Sequence, residues 1–210
     1  MAHVKTFIHH VFHIESQTYI IEGPVSKQQL TQLSYDDGLD AFRVPIEQFE
    51  ALQEIAELDE GRIYIIRIDN HIIGYVTYHY PDPLERWSEG QLPYLIELGA
   101  IEISPAYRHL KLGSHLLEIS TSADEFEDYI VLTTEYYWHW DLKRSQLDVF
   151  EYKKVMQKMM QHGGLEVFAT DDPDITSHPA NCLMARIGKR ISLEQMQAFD
   201  DLRYMNRYFF

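Results

Sequence analysis

One segment of this 210-residue sequence combines a strand, a short basic loop and a helix, an arrangement suited to binding anions. The segment runs from Leu95 to Leu117 and reads LIELGAIEISPAYRHLKLGSHLL. Arg108 and Lys111 bring positive charge to the loop, and Gly113 lets a ligand approach the backbone closely. The first N–H groups of a helix have no partner within the helix and lie at the positive end of its dipole. These residues therefore predict a site for an anion such as a pyrophosphate.

Two carboxylates, Glu97 and Glu102, lie on the strand that precedes this loop. A carboxylate beside a substrate amine can remove its proton as a general base, directly or through water. The two residues are five positions apart, so they face opposite sides of a regular strand unless a bulge intervenes. A glutamate on a strand is also often solvated or paired with a cation. Both therefore stand as candidates for the base.

The densest aromatic stretch, residues 135–140, directly follows a predicted strand. Tyr136, Tyr137 and His139 in this stretch are candidates to line a substrate tunnel, and each carries a group that can donate a proton. The alternative is a packed aromatic cluster without a role in the chemistry.

Two groups of residues suggest a metal at first sight, but both have a simpler explanation. The run TDDPD at 170–174 is also typical of a turn with a helix cap. His9, His10 and His13 have a crude metal-ligand spacing without a second cluster to complete a site, so we expect a mobile N-terminus there. We therefore predict no metal.

Strands and helices that alternate along the chain would hold these groups in place. Strands are predicted at Gln17–Glu22, Arg62–Ile68, Ile72–Tyr80, Leu95–Ile103, Tyr129–Thr134 and Leu165–Thr170. Helices are predicted after Ser26 and after Ser192, each in a capping box with the glutamine three residues later, and also from Pro45, over Leu112–Ile119 and over Phe150–Gln161. Ile46 and Leu52 are expected to share one face of the helix from Pro45, and Val155, Met156, Met159 and Met160 are the expected buried stripe of the helix over Phe150–Gln161. Asp69-Asn70-His71 is the expected turn of a hairpin between the strands on either side of it. This order indicates an α/β (α+β) fold. Without a linker or repeat, we expect one domain over 1–210, with extensions at about 1–35 and 190–210.

Composition limits the classes of function. With 18 basic and 33 acidic residues and a net charge of −15, the surface would repel nucleic acid but attract a basic protein patch or a cationic amine. No apolar run approaches the roughly 20 residues that span a membrane. The N-terminal stretch lacks the apolar core of a signal peptide, and the single cysteine excludes an internal disulfide. We therefore expect a cytoplasmic protein.

The basic loop resembles motif A of the GNAT superfamily of acetyltransferases, which follows a strand and reads Q/R-x-x-G-x-G/A. Arg108, Lys111 and Gly113 occupy its three defined positions, although a glycine is usual where Lys111 stands. A residue with a Cβ does not freely adopt a positive φ, so this departure puts the tightness of the loop in question. The resemblance implies a mixed, mostly antiparallel central sheet flanked by helices, with acetyl-CoA as co-substrate. Its pantetheine arm would lie between two splayed strands, of which YIVLTT is the second.

Expected roles follow from this resemblance together with the chemistry of acyl transfer. A backbone N–H near Ile101 or Ile103 would stabilise the oxyanion. Cofactor binding is expected at Ile101, Ile103, Arg108, His109, Leu110, Lys111, Leu112, Gly113 and Ser114.

The segment from Ser177 to Gly188 resembles the closing helix of the same superfamily, N-x-x-A-x-x-L-Y-x-K-x-G. In this alignment Met184 stands where many members carry a tyrosine that protonates the departing thiolate, so the usual general acid would be missing. Cys182 lies in the same segment, where we expect a small buried thiol.

A closer resemblance, to the bacterial acetoin-utilisation acetyltransferases, covers nearly the whole chain. It rests on IIEGPVS (20–26), YPDPLERWSEG (80–90), LIELGAIE (95–102), IVLTTEYYWHWDL (130–142), FATDDPDI (168–175) and SHPANCLMARIGKR (177–190). This resemblance implies a protein substrate: a lysine of acetyl-CoA synthetase, which acetylation inactivates.

A lysine with its ordinary pKa of about 10.4 is protonated at neutral pH, so the enzyme needs a base. Glu97 lies eleven residues before Arg108, the place of the catalytic glutamate in the histone-acetylating branch of the superfamily, and is preferred to Glu102. Direct transfer without an acyl-enzyme is expected. Two alternatives stay open: acetylation of a small amine such as a polyamine, and a non-catalytic acetyl-CoA-binding regulator that acts by contact.

Overall fold

The computed structural model of the chain describes residues 3–205. These residues form two compact units: residues 3–79 with 98–125, and residues 80–97 with 126–205. We call them the first and the second unit. One strand, β6 (Leu95–Ile103), contributes its first three residues to the second unit and the rest to the first. That the chain acts as a single domain stays a prediction.

The first unit carries the basic loop that follows β6. Besides Leu98–Ile103, its strands are β1 (Ile8–Ile14), β2 (Gln17–Gly23), β3 (Ser34–Tyr35), β4 (Arg62–Ile68) and β5 (His71–His79). Its helices are α1 (Lys27–Leu30), α2 (Pro45–Ala56) and α3 (Leu112–Ser120). The strands are hydrogen-bonded in the order β1-β2-β4-β5-β6, and β3 pairs in parallel with β5.

Local sequence signals determine where these elements begin and turn. The predicted hairpin is confirmed: β4 and β5 pair antiparallel from Arg62 opposite Tyr78 to Ile68 opposite His71. At its turn Asp69 adopts a positive φ of 49°, which aspartate tolerates better than most residues. Ser26 caps α1 in the predicted capping box, because its side chain accepts from Gln29 N and the Gln29 side chain accepts from Ser26 N.

A tightly packed core holds the sheet of the first unit against α1 and α2. It consists of buried aliphatic side chains and one tyrosine: Val25, Leu30, Leu39, Leu52, Ile63, Ile65, Ile72 and Tyr75. Pro45 opens α2 as predicted. Leu52 on that helix is fully buried, whereas Ile46, on the same predicted face, is 71 % exposed.

The second unit is built on the parallel pair β6–β7. Its further strands are β7 (Ile130–Glu135), β8 (Glu166–Phe168) and β9 (Cys182–Ile187), in the order β6-β7-β9-β8. Its helices are α4 (Leu142–Ser145), α5 (Val149–His162), α6 (Pro173–Thr176) and α7 (Leu193–Arg203). Leu95 pairs with Ile130 and Glu97 with Leu132, whereas β7, β9 and β8 pair antiparallel. With nine mostly antiparallel strands among the described residues, and helices flanking them, the predicted fold class is confirmed.

The predicted closing helix over Ser177–Gly188 is wrong. Cys182–Ile187 forms β9, which pairs with β7 on one side and β8 on the other. Its first four side chains are all buried, as expected for a short apolar run between two neighbouring strands. Met184 is therefore a fully buried strand residue paired with Thr133, and its alignment with a catalytic helix tyrosine does not hold.

Two smaller expectations are also wrong. The three N-terminal histidines do not lie in a mobile segment, because His9, His10 and His13 belong to β1. Val155 is 58 % exposed and does not belong to the buried stripe of α5, which is formed by Met156 and Met160. The expected C-terminal extension contains α7, capped by Ser192, and its last five residues, 206–210, lie outside the described part.

Candidate active site

The basic loop of the first unit is a tight backbone turn. After β6 the chain forms a 3-10 helix, Pro105–Leu110, which the sequence pattern did not predict. Lys111 then adopts the left-handed conformation, with φ 57° and ψ 26°, and α3 begins at the next residue. The Cβ of Lys111 therefore does not prevent the turn. The conformation costs about 1 kcal/mol relative to a right-handed residue, and glycine would avoid this cost.

The start of α3 is suited to hold an anion. No side chain in the described part of the chain caps this helix, and its first hydrogen bonds run from Ser114 N (3.1 Å) and His115 N (3.4 Å) to the carbonyl of Lys111. Leu112 and Gly113 are buried, so the first turn is anchored in the unit. The N-terminal end of the helix dipole attracts negative charge. An anionic ligand group would thus find backbone donors that no side chain of the helix occupies.

Three basic side chains surround this turn. Arg108, His109 and Lys111 are all exposed, while Leu110 and Ser114 are half-buried. The Nε of Arg108 donates to the carbonyl oxygen of Ile103 at 3.1 Å, which ties the loop to the end of β6. All nine predicted cofactor-binding residues therefore lie within one stretch of the first unit. Their contact with a cofactor stays a prediction.

Glu102 holds a neighbouring loop in place. Its Oε1 accepts from the backbone N–H of Ala41 at 2.8 Å, and its Oε2 accepts from the Tyr75 hydroxyl at 2.9 Å. Burial raises the pKa of this carboxyl, and the two hydrogen bonds oppose that rise. Both oxygens are thus engaged with the protein. This arrangement favours a structural role for Glu102 over the alternative role of base.

Glu97, in the second unit, differs from Glu102 in its hydrogen bonding. Within residues 3–205 its side chain makes no hydrogen bond or ion pair. Burial raises its pKa to about 8, and the carboxylates of Glu85 and Asp82 add to the rise. A buried carboxyl with a pKa near neutrality and without a protein partner has the properties of a general base.

The aromatic residues after β7 form a stacked cluster in the second unit. Tyr136 stacks on Trp138 with ring centroids 4.8 Å apart, and His139 meets the edge of Tyr136 at 5.8 Å. The backbone N–H of Tyr137 donates to the side chain of Asn181 at 3.1 Å. Burial raises the pKa of Tyr136 to about 12. Trp138 is 52 % exposed, so the cluster presents an aromatic surface to solvent. Substrate binding by its members stays a prediction.

Sequence reasoning missed two carboxyls of the second unit. Glu135, at the end of β7, accepts from the indole Nε1 of Trp140 at 3.0 Å, and burial raises its pKa to about 7. Glu85 has a raised pKa caused by burial, and its Oε2 is buried without a hydrogen-bond partner in the described part of the chain. Glu135 was overlooked because it stands among aromatic residues, and Glu85 because loop glutamates are normally solvated.

The acidic run at 170–174 contains a helix cap. Over residues 3–205, no group of three or more histidine, cysteine or acidic side chains is arranged to hold a metal ion. Asp172 caps α6 by accepting from Asp174 N and Ile175 N, as the turn pattern predicted. None of the described helices combines the length and the apolar character that crossing a bilayer would require.

Known proteins resemble this chain over its whole length. A model of the Acetyltransferase (GNAT) family matches residues 28–141. Two relatives, each called Acetoin utilization protein AcuA, are 55 % identical over 210 residues (Bacillus licheniformis) and 56 % identical over 212 residues (Bacillus subtilis). Each match covers 100 % of both chains.

Solved structures give the same result. A crystal structure of an acetoin utilization protein from Exiguobacterium sibiricum has a TM-score of 0.95 and 55 % identity, with 98 % of each chain covered. A GNAT-family acetyltransferase from Streptococcus pneumoniae shares the fold at a TM-score of 0.53 and 14 % identity, covering 81 % of this chain and 99 % of its own. The chain therefore belongs to the GNAT acetyltransferase family and is an acetyl-CoA-dependent N-acetyltransferase.

Proposed function

We propose that this enzyme serves acetoin utilisation by acetylating a lysine of acetyl-CoA synthetase and thereby inactivating it. The observation that carries the first part is the likeness, over 100 % of both chains, to two proteins whose name is Acetoin utilization protein. The synthetase as substrate rests on the resemblance to acetoin-utilisation acetyltransferases. The net charge of −15 supports a partner with a basic patch around the modified lysine.

Glu97 is the general base in this proposal. The substrate lysine arrives as an ammonium ion, and the Glu97 carboxylate takes one of its protons. The free amine nitrogen then attacks the thioester carbon, a C–N bond forms, and the C–S bond breaks to release coenzyme A. The pKa of about 8 supports this role, because a base with a pKa near the working pH combines sufficient ionisation with sufficient basicity.

Acetyl-CoA supplies the acetyl group, and the basic loop of the first unit binds its pyrophosphate. Backbone N–H groups at the start of α3 donate to the phosphate oxygens, and the charges of Arg108 and Lys111 add to the attraction. A backbone N–H at Ile101 or Ile103 stabilises the oxyanion that forms on the thioester. The uncapped start of the nine-residue helix and the left-handed turn at Lys111 support this assignment.

The aromatic residues after β7 receive the lysine. Tyr136, Tyr137 and His139 provide an aromatic surface, against which a lysine stem can pack. The carboxyls of Glu85 and Asp82, which raise the pKa of Glu97, also attract an ammonium ion. A cation would relieve the unpartnered buried oxygen of Glu85, so an amine fits this region better than an anion does.

The test is to incubate the enzyme with acetyl-CoA and purified acetyl-CoA synthetase and to map acetylated lysines by mass spectrometry. We expect one predominant acetylated lysine and a loss of synthetase activity that follows its stoichiometry. Glu97→Gln should bind acetyl-CoA with unchanged affinity and lose turnover, whereas Glu89→Gln, an exposed loop glutamate, is the matched control. Full turnover in Glu97→Gln would remove Glu97 from its role.

The same experiment separates the alternatives. Acetylated spermidine together with unmodified synthetase would make the enzyme a small-amine acetyltransferase. Inhibition of the synthetase without any acetylated lysine, with acetyl-CoA bound, would make it a regulator that acts by contact.

A further inference from the structure

The middle of β6 is open on one face. β6 is an interior strand, with β5 on one side and β7 on the other. Gly99 in its centre is nevertheless exposed, whereas Leu98 beside it is buried. A glycine inside a strand often marks a place where a ligand approaches the backbone closely. Two residues further along the same strand is Ile101, and the basic loop follows the end of the strand.

The imidazole of His79 lies over this opening. His79 is the last residue of β5, and its Nε2 is the nearest heavy atom to the place where a Cβ on Gly99 would be. Cε1 of the same ring would lie 3.0 Å and Cδ2 3.3 Å from that Cβ. An alanine at position 99 would therefore overlap the ring. The absence of a side chain at Gly99 is what allows the imidazole to rest against the strand.

Amide formation from an amine requires a second proton transfer. After the nitrogen attacks the thioester carbon it still carries a proton that the product amide does not keep, and the departing sulfur needs one. Both atoms are bonded to the same tetrahedral carbon, so one group with an acceptor and a donor position can serve both. Imidazole is such a group, because it takes a proton at one step and returns it at the next.

We propose that His79 is this proton shuttle. Its Nε2 accepts the proton from the nitrogen as the C–N bond becomes an amide, and it returns the proton to the sulfur as the C–S bond breaks. The imidazole ends as it began, and coenzyme A leaves as the thiol. This role rests on the proposed direct transfer to an amine, in which Glu97 removes the earlier proton.

Two other residues that the sequence raised as candidates do not fit this role. In the first unit, both oxygens of the Glu102 carboxyl are already engaged, by Ala41 and Tyr75. Met184 has no proton to give and is fully buried in β9.

A double-mutant cycle tests the contact. His79→Ala should lower the rate of coenzyme A release about 100-fold, a typical loss for a missing acid–base group, with KM for acetyl-CoA unchanged within twofold. Gly99→Ala should lose nearly as much, because its methyl group displaces the ring. The double variant should then be no slower than His79→Ala. His162→Ala, an exposed surface histidine, is the control. If the rate loss of the double variant equalled the product of the two single losses, the proposal would be overturned.

Two further readouts distinguish proton transfer from packing. Added imidazole should raise the rate of His79→Ala at least tenfold. It should not raise the rate of Gly99→Ala, because the added methyl group occupies the space over the strand. His79→Gln, which keeps a polar side chain but cannot shuttle a proton, should stay as slow as His79→Ala. Full activity of His79→Gln, or no rescue by imidazole, would refute the role.

An assay of acetyl-CoA hydrolysis without any amine acceptor separates this proposal from the proposed function. Hydrolysis also expels the thiolate, so His79→Ala should slow it even if acetyl-CoA synthetase is not the acceptor. If the synthetase stays unmodified while hydrolysis depends on His79, the proposed substrate fails and the shuttle stands. If hydrolysis is unaffected by His79→Ala, the shuttle fails.

Discussion

Replacing Glu97 by glutamine should stabilise the enzyme, and more so as the pH rises. The carboxyl has an ordinary pKa of 4.5 in the unfolded chain and a pKa of about 8 in the folded one. Between these values the folded state binds a proton that the unfolded state has lost. Stability therefore falls with rising pH until the pH passes the folded pKa.

The magnitude follows from this difference in pKa. Each pH unit between the two values costs about 1.4 kcal/mol, so the wild-type enzyme loses about 3 kcal/mol between pH 5.5 and pH 9 through this one residue. Glutamine has the same shape and does not titrate. Glu97→Gln should therefore unfold at a higher urea concentration than the wild type, with a free-energy advantage about 3 kcal/mol larger at pH 9 than at pH 5.5.

Urea titrations of both proteins at the two pH values measure this advantage directly, and Glu89→Gln again serves as the control. An equal advantage at both pH values would mean that burial does not hold the Glu97 carboxyl protonated, and the reasoning would fail. The same ionisation should govern catalysis: turnover should rise about tenfold per pH unit below pH 8 and level off above it. A wild-type profile that is flat from pH 6 to pH 9 would contradict the assignment.

Three further substitutions test the surrounding structure. Lys111→Gly should raise the free energy of unfolding by about 0.5 kcal/mol, because relief of the left-handed backbone exceeds the entropy that glycine adds to the unfolded chain. The same variant should raise KM for acetyl-CoA about fivefold, because it loses the lysine charge. An unchanged KM would mean that the phosphates bind elsewhere. Glu102→Ala should lower the free energy of unfolding by about 3 kcal/mol in a urea titration, because it leaves the N–H of Ala41 and the hydroxyl of Tyr75 unpaired. A loss below 1 kcal/mol would contradict the structural role of Glu102. Met184→Tyr should lower the melting temperature, since overpacking a core costs about 1–3 kcal/mol, and it should not raise turnover; a faster enzyme would show that this strand position reaches the reacting atoms.

Local signals in the sequence were sufficient for most of the fold. Capping boxes, Pro45 and the Asp69 turn act within a few residues, so their elements appear where they were predicted. The helix prediction for Ser177–Gly188 is wrong for the opposite reason. Its spacing matches a helix pattern, but the long-range pairing of Cys182–Ile187 with two other strands decides its conformation. Such pairing overrides local preference and is not visible in a single sequence.

The features of the candidate site also divide into those that local sequence predicts and those that depend on distant residues. The basic loop could be predicted, because its charge and glycine pattern lie within a few residues of each other. The difference between Glu97 and Glu102 could not, since it depends on partners distant in sequence: Ala41 is 61 residues from Glu102, and Tyr75 is 27. His79 gave no signal, because its significance comes from a glycine on the neighbouring strand.

Cys182 has a practical consequence for any assay of this enzyme. It is the single cysteine of the sequence, only 4 % exposed, and burial raises the pKa of its thiol. Thiol reagents attack the thiolate, so the folded protein should react with them slowly. Colour that develops promptly in a thiol-reagent assay therefore measures coenzyme A released by turnover. A slower rise approaching one equivalent of protein thiol would indicate that the preparation is unfolding.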